Sequence, residues 1–152
     1  MSGTLGIVIA VVGIALFVAL LLFVAGGTAR RSIAGARNDP ATVGATEVVD
    51  ARMVHGRSEA GHQLNGNGVL AIFPGELRFV LAAPRRTVTT RRTQITNLSV
   101  TNNLRLPGKR SAGGPPYLVV EWTSPDGTHQ TAFQSHRADA LLASLTRSDD
   151  TP

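Results

Sequence analysis

The stretch VLAIFPGELRFVL, residues 69–81, is the strongest indication of the fold in this chain. Its first five residues are all apolar, and Pro74-Gly75 then supplies the residue types of a tight turn. After the turn, large apolar residues occupy every second position from Leu77 to Leu81. This period is typical of a strand with one buried face, so the sequence predicts a β-hairpin directed towards a hydrophobic core.

Other runs with strand composition lie on both sides of this hairpin. They cover residues 47–54, 87–90, 95–101, 117–123 and 128–133. In the run 95–101 the apolar residues miss strict alternation by one step, which indicates a bulge or a kink. Asp126-Gly127 joins the last two runs and is a strong hairpin turn signal. The domain is therefore predicted to be mainly β.

The glycine-rich stretch 56–68 interrupts the predicted strands. Glycines recur every few positions there, so we expect irregular structure. Asn65–Gly68 is interpreted as a turn and not as a phosphate-binding loop, because such loops precede a helix and a strand follows here.

One amphipathic helix is predicted at the end of the domain. Ala138, Leu141, Leu142 and Leu145 follow the i, i+3, i+4, i+7 spacing of a single apolar stripe. Ser135 is the candidate N-cap of this helix.

The apolar run Leu5–Ala25, LGIVIAVVGIALFVALLLFVA, contains no charged residue and no amide side chain. A helix of this length rises about 30 Å, which matches the hydrocarbon core of a bilayer. We therefore expect one transmembrane helix. A cleaved signal peptide is the alternative, although the run is longer than usual for one and no basic residue precedes it.

The chain of 152 residues is predicted to have four parts. These are a transmembrane anchor over 1–28, a basic flexible linker over 29–45, a β domain over 46–148 and a tail over 149–152. Arg30, Arg31 and Arg37 follow the apolar run, so the positive-inside rule places the N-terminus outside and the domain in the cytoplasm, at the plasma membrane. These arginines either lie along an anionic leaflet or serve only to set this topology.

Several motifs in order resemble bacterial pleckstrin-homology-like (PH-like) domains. They are Gly66-Asn67-Gly68-Val69-Leu70, the hairpin Ile72–Phe79, the Ile95-x-x-Leu98 step, Gly108-Lys109, Tyr117–Trp122 before Asp126-Gly127, and Phe133 before the helix. Many such domains follow a transmembrane helix in actinobacterial proteins. The resemblance implies a partly open barrel of about seven antiparallel strands, capped by one C-terminal helix. It also implies a role in protein interaction or structure, but it does not imply a particular ligand.

The basic phosphoinositide-binding pattern of eukaryotic PH domains is not matched. The corresponding region offers only Arg52, His55 and Arg57, with Glu59 beside them. Specific phosphoinositide binding is therefore not expected.

Basic residues are the main functional signal, since the net charge is +5 and the pI is about 11.2. The candidate contacts to an anionic surface are Arg30, Arg31, Arg37, Arg85, Arg86, Arg91, Arg92, Lys109 and Arg110. An ordinary solvated basic surface is the alternative. Nucleic acid is not expected as a partner, because the aromatic residues are better placed in the core than among the basic residues.

Catalytic and metal chemistry is not expected. The chain has no cysteine, which excludes disulfides, thiolate zinc sites and cysteine nucleophiles. His55, His62, His129 and His136 lack the close spacing of metal ligands. Ser135, His136 and Asp139 are crowded at one helix start, without the strand-to-helix nucleophile turn or separate orienting acid of a hydrolase. No cofactor is expected.

The sequence therefore favours a membrane-anchored binding or scaffolding module that docks a partner protein at the cytoplasmic membrane face. Binding of anionic lipid headgroups by the basic loops is the second hypothesis. A membrane-tethered enzyme is the third, and it would need an acid, base or metal constellation in a concave pocket.

Overall fold

The computed structural model describes residues 14–19, 27, 30–57, 63–104 and 114–147. The chain divides into two compact units, Met1–Ser32 and Ile33–Pro152. In the first unit, residues 14–19 are helical and exposed. No helix within the described ranges is long and apolar enough to cross a bilayer. Most of the predicted span Leu5–Ala25 lies outside those ranges.

Among the described residues, the second unit contains seven antiparallel strands in one open sheet, followed by a helix. Along the sheet the strands are ordered β4-β3-β2-β1-β7-β6-β5. The strands are β1 Glu47–Arg57, β2 Gln63–Ile72, β3 Glu76–Leu81, β4 Arg86–Arg91, β5 Ile95–Thr101, β6 Tyr117–Ser124 and β7 Gly127–Gln134, and the C-terminal helix is Ala138–Arg147. The prediction of a mainly β fold with a C-terminal helix is confirmed.

The stretch 69–81 forms the β2–β3 hairpin. Ile72 lies opposite Leu77, and Leu70 lies opposite Phe79. All four side chains are buried, so one face of the hairpin contributes to the core as the alternation predicts.

The main core lies on one face of the sheet, beneath the C-terminal helix. Leu141 and Leu145 of the helix are buried there with Leu118 of β6. The rings of Phe79 and Phe133 have centroids 5.2 Å apart and are tilted by 42°. Aromatic and aliphatic burial of this kind supplies most of the free energy that holds a helix on a sheet.

Strand β1 joins the two halves of the sheet because it has partners on both sides. It pairs with β2 along most of its length, and Arg52–His55 also pair with β7. Its register shifts near His55, which indicates a bulge or irregularity. A register shift also lies between Ile95 and Asn97 of β5, where the sequence predicts a bulge.

The described parts of the glycine-rich stretch, residues 56–57 and 63–68, are more regular than the sequence predicts. Gly56 belongs to β1, and Asn65–Gly68 lie inside β2, so the prediction of a turn at Asn65–Gly68 is wrong. A Cβ on Gly68 would collide with the backbone oxygen of Val80 and lie 2.9 Å from Phe79 Cζ. Glycine is needed here for close approach of two strands and not for a turn.

The region predicted as a flexible linker, 29–45, is ordered and packed over residues 33–42. Residues 30–37 are helical, and Pro40–Thr42 form a 3-10 turn whose N-cap, Asp39, accepts a hydrogen bond from the Ala41 N–H. Ala36 is fully buried against Val69 and Val80, on the sheet face opposite the main core. We call residues 33–42 the strap. Small residues and local capping allow this stretch to pack without a long hydrophobic period.

Arg78 connects the strap to the hairpin. Its Nη1 donates to the backbone oxygen of Ala41 at 3.2 Å, and its Nε donates to Glu76 at 2.6 Å. The guanidinium carbon lies 4.4 Å from the centroid of the Phe73 ring. One charged side chain therefore holds the turn of the hairpin against the strap.

Candidate docking site

The free edge of β5 lies beside the C-terminal helix. Among the described residues β5 pairs only with β6, so its other edge has no strand partner. The strand ITNLSVT carries no charged residue, and its Leu98 and Val100 are only partly buried. An uncharged edge strand is able to accept an added strand through its backbone groups.

A small recess opens between β5 and the end of the helix. It has a volume of about 50 Å³ and is lined by Arg92, Ile95, Leu98 and Leu145. Pockets for whole small molecules usually measure roughly 300–1,000 Å³. This recess is therefore too small to enclose a whole small molecule.

Arg92 forms one wall of the recess and supports the helix. Its Nη1 donates to the backbone oxygen of Leu145 at 2.9 Å. The carbonyls in the last turn of a helix lack intrahelical partners and carry partial negative charge. Arg92 was predicted to contact an anionic surface, but it is half-buried and has a structural role.

Two other arginines that were predicted to contact an anionic surface form ion pairs with carboxylates of the domain. Arg37 Nη2 lies 2.8 Å from Asp50, and Arg85 Nη1 lies 3.2 Å from Asp39. Such exposed pairs contribute at most about 1 kcal/mol each, but they neutralise the charges that would attract an anionic surface. Asp39 and Asp50 were not identified from the sequence. The Asp-Pro dipeptide was the available signal, since it is a typical N-cap followed by Pro at N1.

Arg86 and Arg91 remain exposed and carry no ion pair within the described ranges. They lie at opposite ends of β4, so their Cα atoms are about 17 Å apart at the usual rise per residue of a strand. Arg86 and Arg91 therefore do not adjoin each other on β4.

The remaining candidate residues are Arg30, Arg31, Lys109 and Arg110. Arg30 and Arg31 are helical and exposed in the first unit. Lys109 and Arg110 lie outside the described residues.

Two of the side chains considered for catalysis or metal binding, Ser135 and His129, have structural partners. Ser135 Oγ donates to the backbone oxygen of Asp50 and accepts from the Arg137 N–H, each at 3.2 Å. His129 stacks on Trp122 with centroids 4.6 Å apart, and its Nε2 lies 2.8 Å from Ser124 Oγ. Within the described ranges, no group of three or more potential ligands could hold a metal ion.

Comparison of the chain with protein-family models, curated proteins and solved structures finds no match.

Proposed function

We propose that the chain is a single-pass membrane protein whose β domain is a non-enzymatic docking module. The domain would bind an extended segment of a partner protein at the β5 edge. The observation that carries this proposal is the uncharged free edge beside the helix, with a small recess next to it.

Membrane anchoring is supported by the uncharged apolar run Leu5–Ala25. The described residues within it expose Ile14, Leu16 and Phe17, with 61–67% of each side chain accessible. The basic residues after the run favour a cytoplasmic domain at the plasma membrane. Protease added to intact cells should leave such a domain uncut, and cleavage of the domain would contradict this orientation.

A PH-like barrel is the finer fold assignment that we propose. The open sheet of seven antiparallel strands, with one helix after the last strand, is compatible with it. Fold analogy supports a binding role without naming a ligand.

The docking site is testable by photo-crosslinking from the edge of β5. A photoreactive residue at the exposed Thr96 of the full chain should form an adduct with one partner protein in native membranes. The control position is Thr128, which is exposed at the β6–β7 turn. The same protein should co-purify stoichiometrically in mild detergent. Identical adducts from both positions, or no adduct from Thr96, would contradict docking at β5.

Anionic-lipid binding is less well supported as the function of the domain. Arg37 and Arg85 are in ion pairs, and Arg92 supports the helix. An enzyme is less well supported again, because Ser135 serves as a structural hydrogen-bonding group.

A further inference from the structure

The two free edges of the sheet differ in charge. Strand β5 has no charged residue, whereas β4 begins with Arg86 and ends with Arg91. Among the described residues, β4 pairs only with β3. Charged residues on an edge strand oppose uncontrolled pairing, and they also select which strand is able to pair.

The outward backbone groups of β4 can be identified from one hydrogen bond. The Arg91 N–H donates to Gln94 Oε1 at 3.1 Å, so it points away from β3. In an antiparallel pair, residues alternate between groups directed at the partner and groups directed away from it. The N–H and C=O groups of Thr89 and Thr87 are therefore also directed outward. They provide two successive pairing positions.

Arg86 and Arg91 flank these pairing positions, one before Thr87 and one after Thr89. Arg86 and Arg91 are five residues apart and both exposed, with no ion pair among the described residues. Antiparallel pairing of β4 with a second copy would place the arginine-bearing ends of the two strands next to each other, although Arg86 and Arg91 project from opposite faces because they are an odd number of residues apart. The positive charge at both ends of β4 therefore favours a strand with negative ends.

We propose that the β4 edge is a second docking site, which binds an extended protein segment carrying two carboxylate residues five positions apart. The backbone of that segment pairs with Thr87 and Thr89, and its carboxylates lie opposite Arg86 and Arg91. The five-residue spacing of the carboxylates is the same whether the bound segment runs parallel or antiparallel to β4. Cross-strand neighbours share a face of the sheet, so each carboxylate lies on the same face as its arginine. This site is independent of the β5 edge.

The probe is the acetylated, amidated peptide Thr-Glu-Thr-Val-Thr-Val-Glu-Thr. A second peptide of the same composition, Thr-Thr-Glu-Val-Thr-Glu-Val-Thr, has its carboxylates three positions apart, and a third replaces both Glu of the probe by Lys. Binding is measured on the full chain in neutral-lipid nanodiscs, from the amide NMR shifts of Thr87 and Thr89.

We expect the probe to bind at least about tenfold more tightly than either of the other peptides, and less tightly as salt is added. The Arg86→Glu/Arg91→Glu variant should reverse the preference towards the Lys peptide. The charge-matched control, Arg52→Glu/Arg147→Glu, should leave the order of the three peptides unchanged, since both its arginines are exposed and lie off β4.

The proposal is overturned if millimolar probe does not shift Thr87 and Thr89. It is also overturned if the three- and five-residue spacings bind equally, or if the charge reversal does not transfer binding to the Lys peptide. If anionic nanodiscs change the amide NMR shifts of Thr87 and Thr89 and the probe does not, Arg86 and Arg91 bind the lipid surface instead. Loss of the β5 crosslink has no bearing on this result, so the two docking sites fail or succeed separately.

Discussion

The guanidinium of Arg92 donates a hydrogen bond to the backbone oxygen of Leu145, with a donor–acceptor distance of 2.9 Å. This bond joins the 3-10 turn Arg92–Gln94, which connects β4 to β5, to the last turn of the C-terminal helix. Its neighbour Arg91 is exposed instead. Two adjacent arginines therefore have different roles, one in the stability of the helix and one at the surface.

Substitution Arg92→Ala should lower the free energy of unfolding by about 1–3 kcal/mol, because a half-buried, charged hydrogen bond to the helix end is lost. Urea denaturation followed by circular dichroism measures this change. The control Arg91→Ala should stay within about 0.5 kcal/mol of the wild type. Equal losses in the two variants would show that the Leu145 contact does not stabilise the helix.

Substitution Gly68→Ala should cost at least about 2 kcal/mol of stability, because a Cβ at this position collides with the backbone oxygen of Val80. The control is Gly75→Ala, since a Cβ at Gly75 meets no atom within 4 Å. Thermal unfolding compares the two variants. If the Gly68→Ala variant is as stable as the Gly75→Ala variant, β2 and β3 move apart at Gly68 without cost and the prediction is wrong.

Substitution Ala36→Glu should release the strap from the sheet. Ala36 is fully buried against Val69 and Val80, and a carboxylate there would be desolvated without a partner. We expect local release rather than global unfolding, because the main core lies on the other face. Tryptic cleavage after Arg37 should accelerate by at least about tenfold.

The control for the strap is Ala34→Glu, because Ala34 is exposed on the same helical segment. Its cleavage rate should match that of the wild type. Cleavage that is equally fast in both variants would indicate a general effect of the added charge on the segment.

Substitution Thr131→Val should destabilise the β6–β7 hairpin by about 1–2 kcal/mol. Trp122 Nε1 donates to Thr131 Oγ1 at 3.1 Å, and valine leaves that N–H without its acceptor. Trp122 is the single tryptophan of the chain, so its fluorescence reports unfolding directly. The control Thr128→Val alters an exposed residue of the same strand, and it should leave the unfolding midpoint unchanged.

Much of the β architecture follows from local patterns. The hairpin around Pro74-Gly75 and the Asp126-Gly127 turn were predicted, as was the helix from Ala138. Each of these signals acts within about ten residues, because strand alternation, turn chemistry and helix periodicity are local properties. The irregularity in β5 was also predicted, since it displaces apolar residues by one position.

Features that depend on distant contacts were missed. Gly66 and Gly68 were predicted to form a turn, because the sequence does not reveal that a neighbouring strand approaches the Gly68 backbone. The strap was predicted to be part of a basic flexible linker, because Ala36 is too small to produce a hydrophobic period. Its burial depends on Val69 and Val80, which follow more than thirty positions later.

The sequence by itself determined the mainly β composition of the domain, the positions of the β2–β3 and β6–β7 hairpins and the apolar face of its last helix. These properties are encoded by residues that are neighbours along the chain. Only the tertiary structure decided which arginines are available for binding. Arg37 and Arg85 are paired with Asp50 and Asp39, while Arg92 holds the helix end. The free edges of β4 and β5 are likewise a property of strand order, which depends on pairing between distant segments.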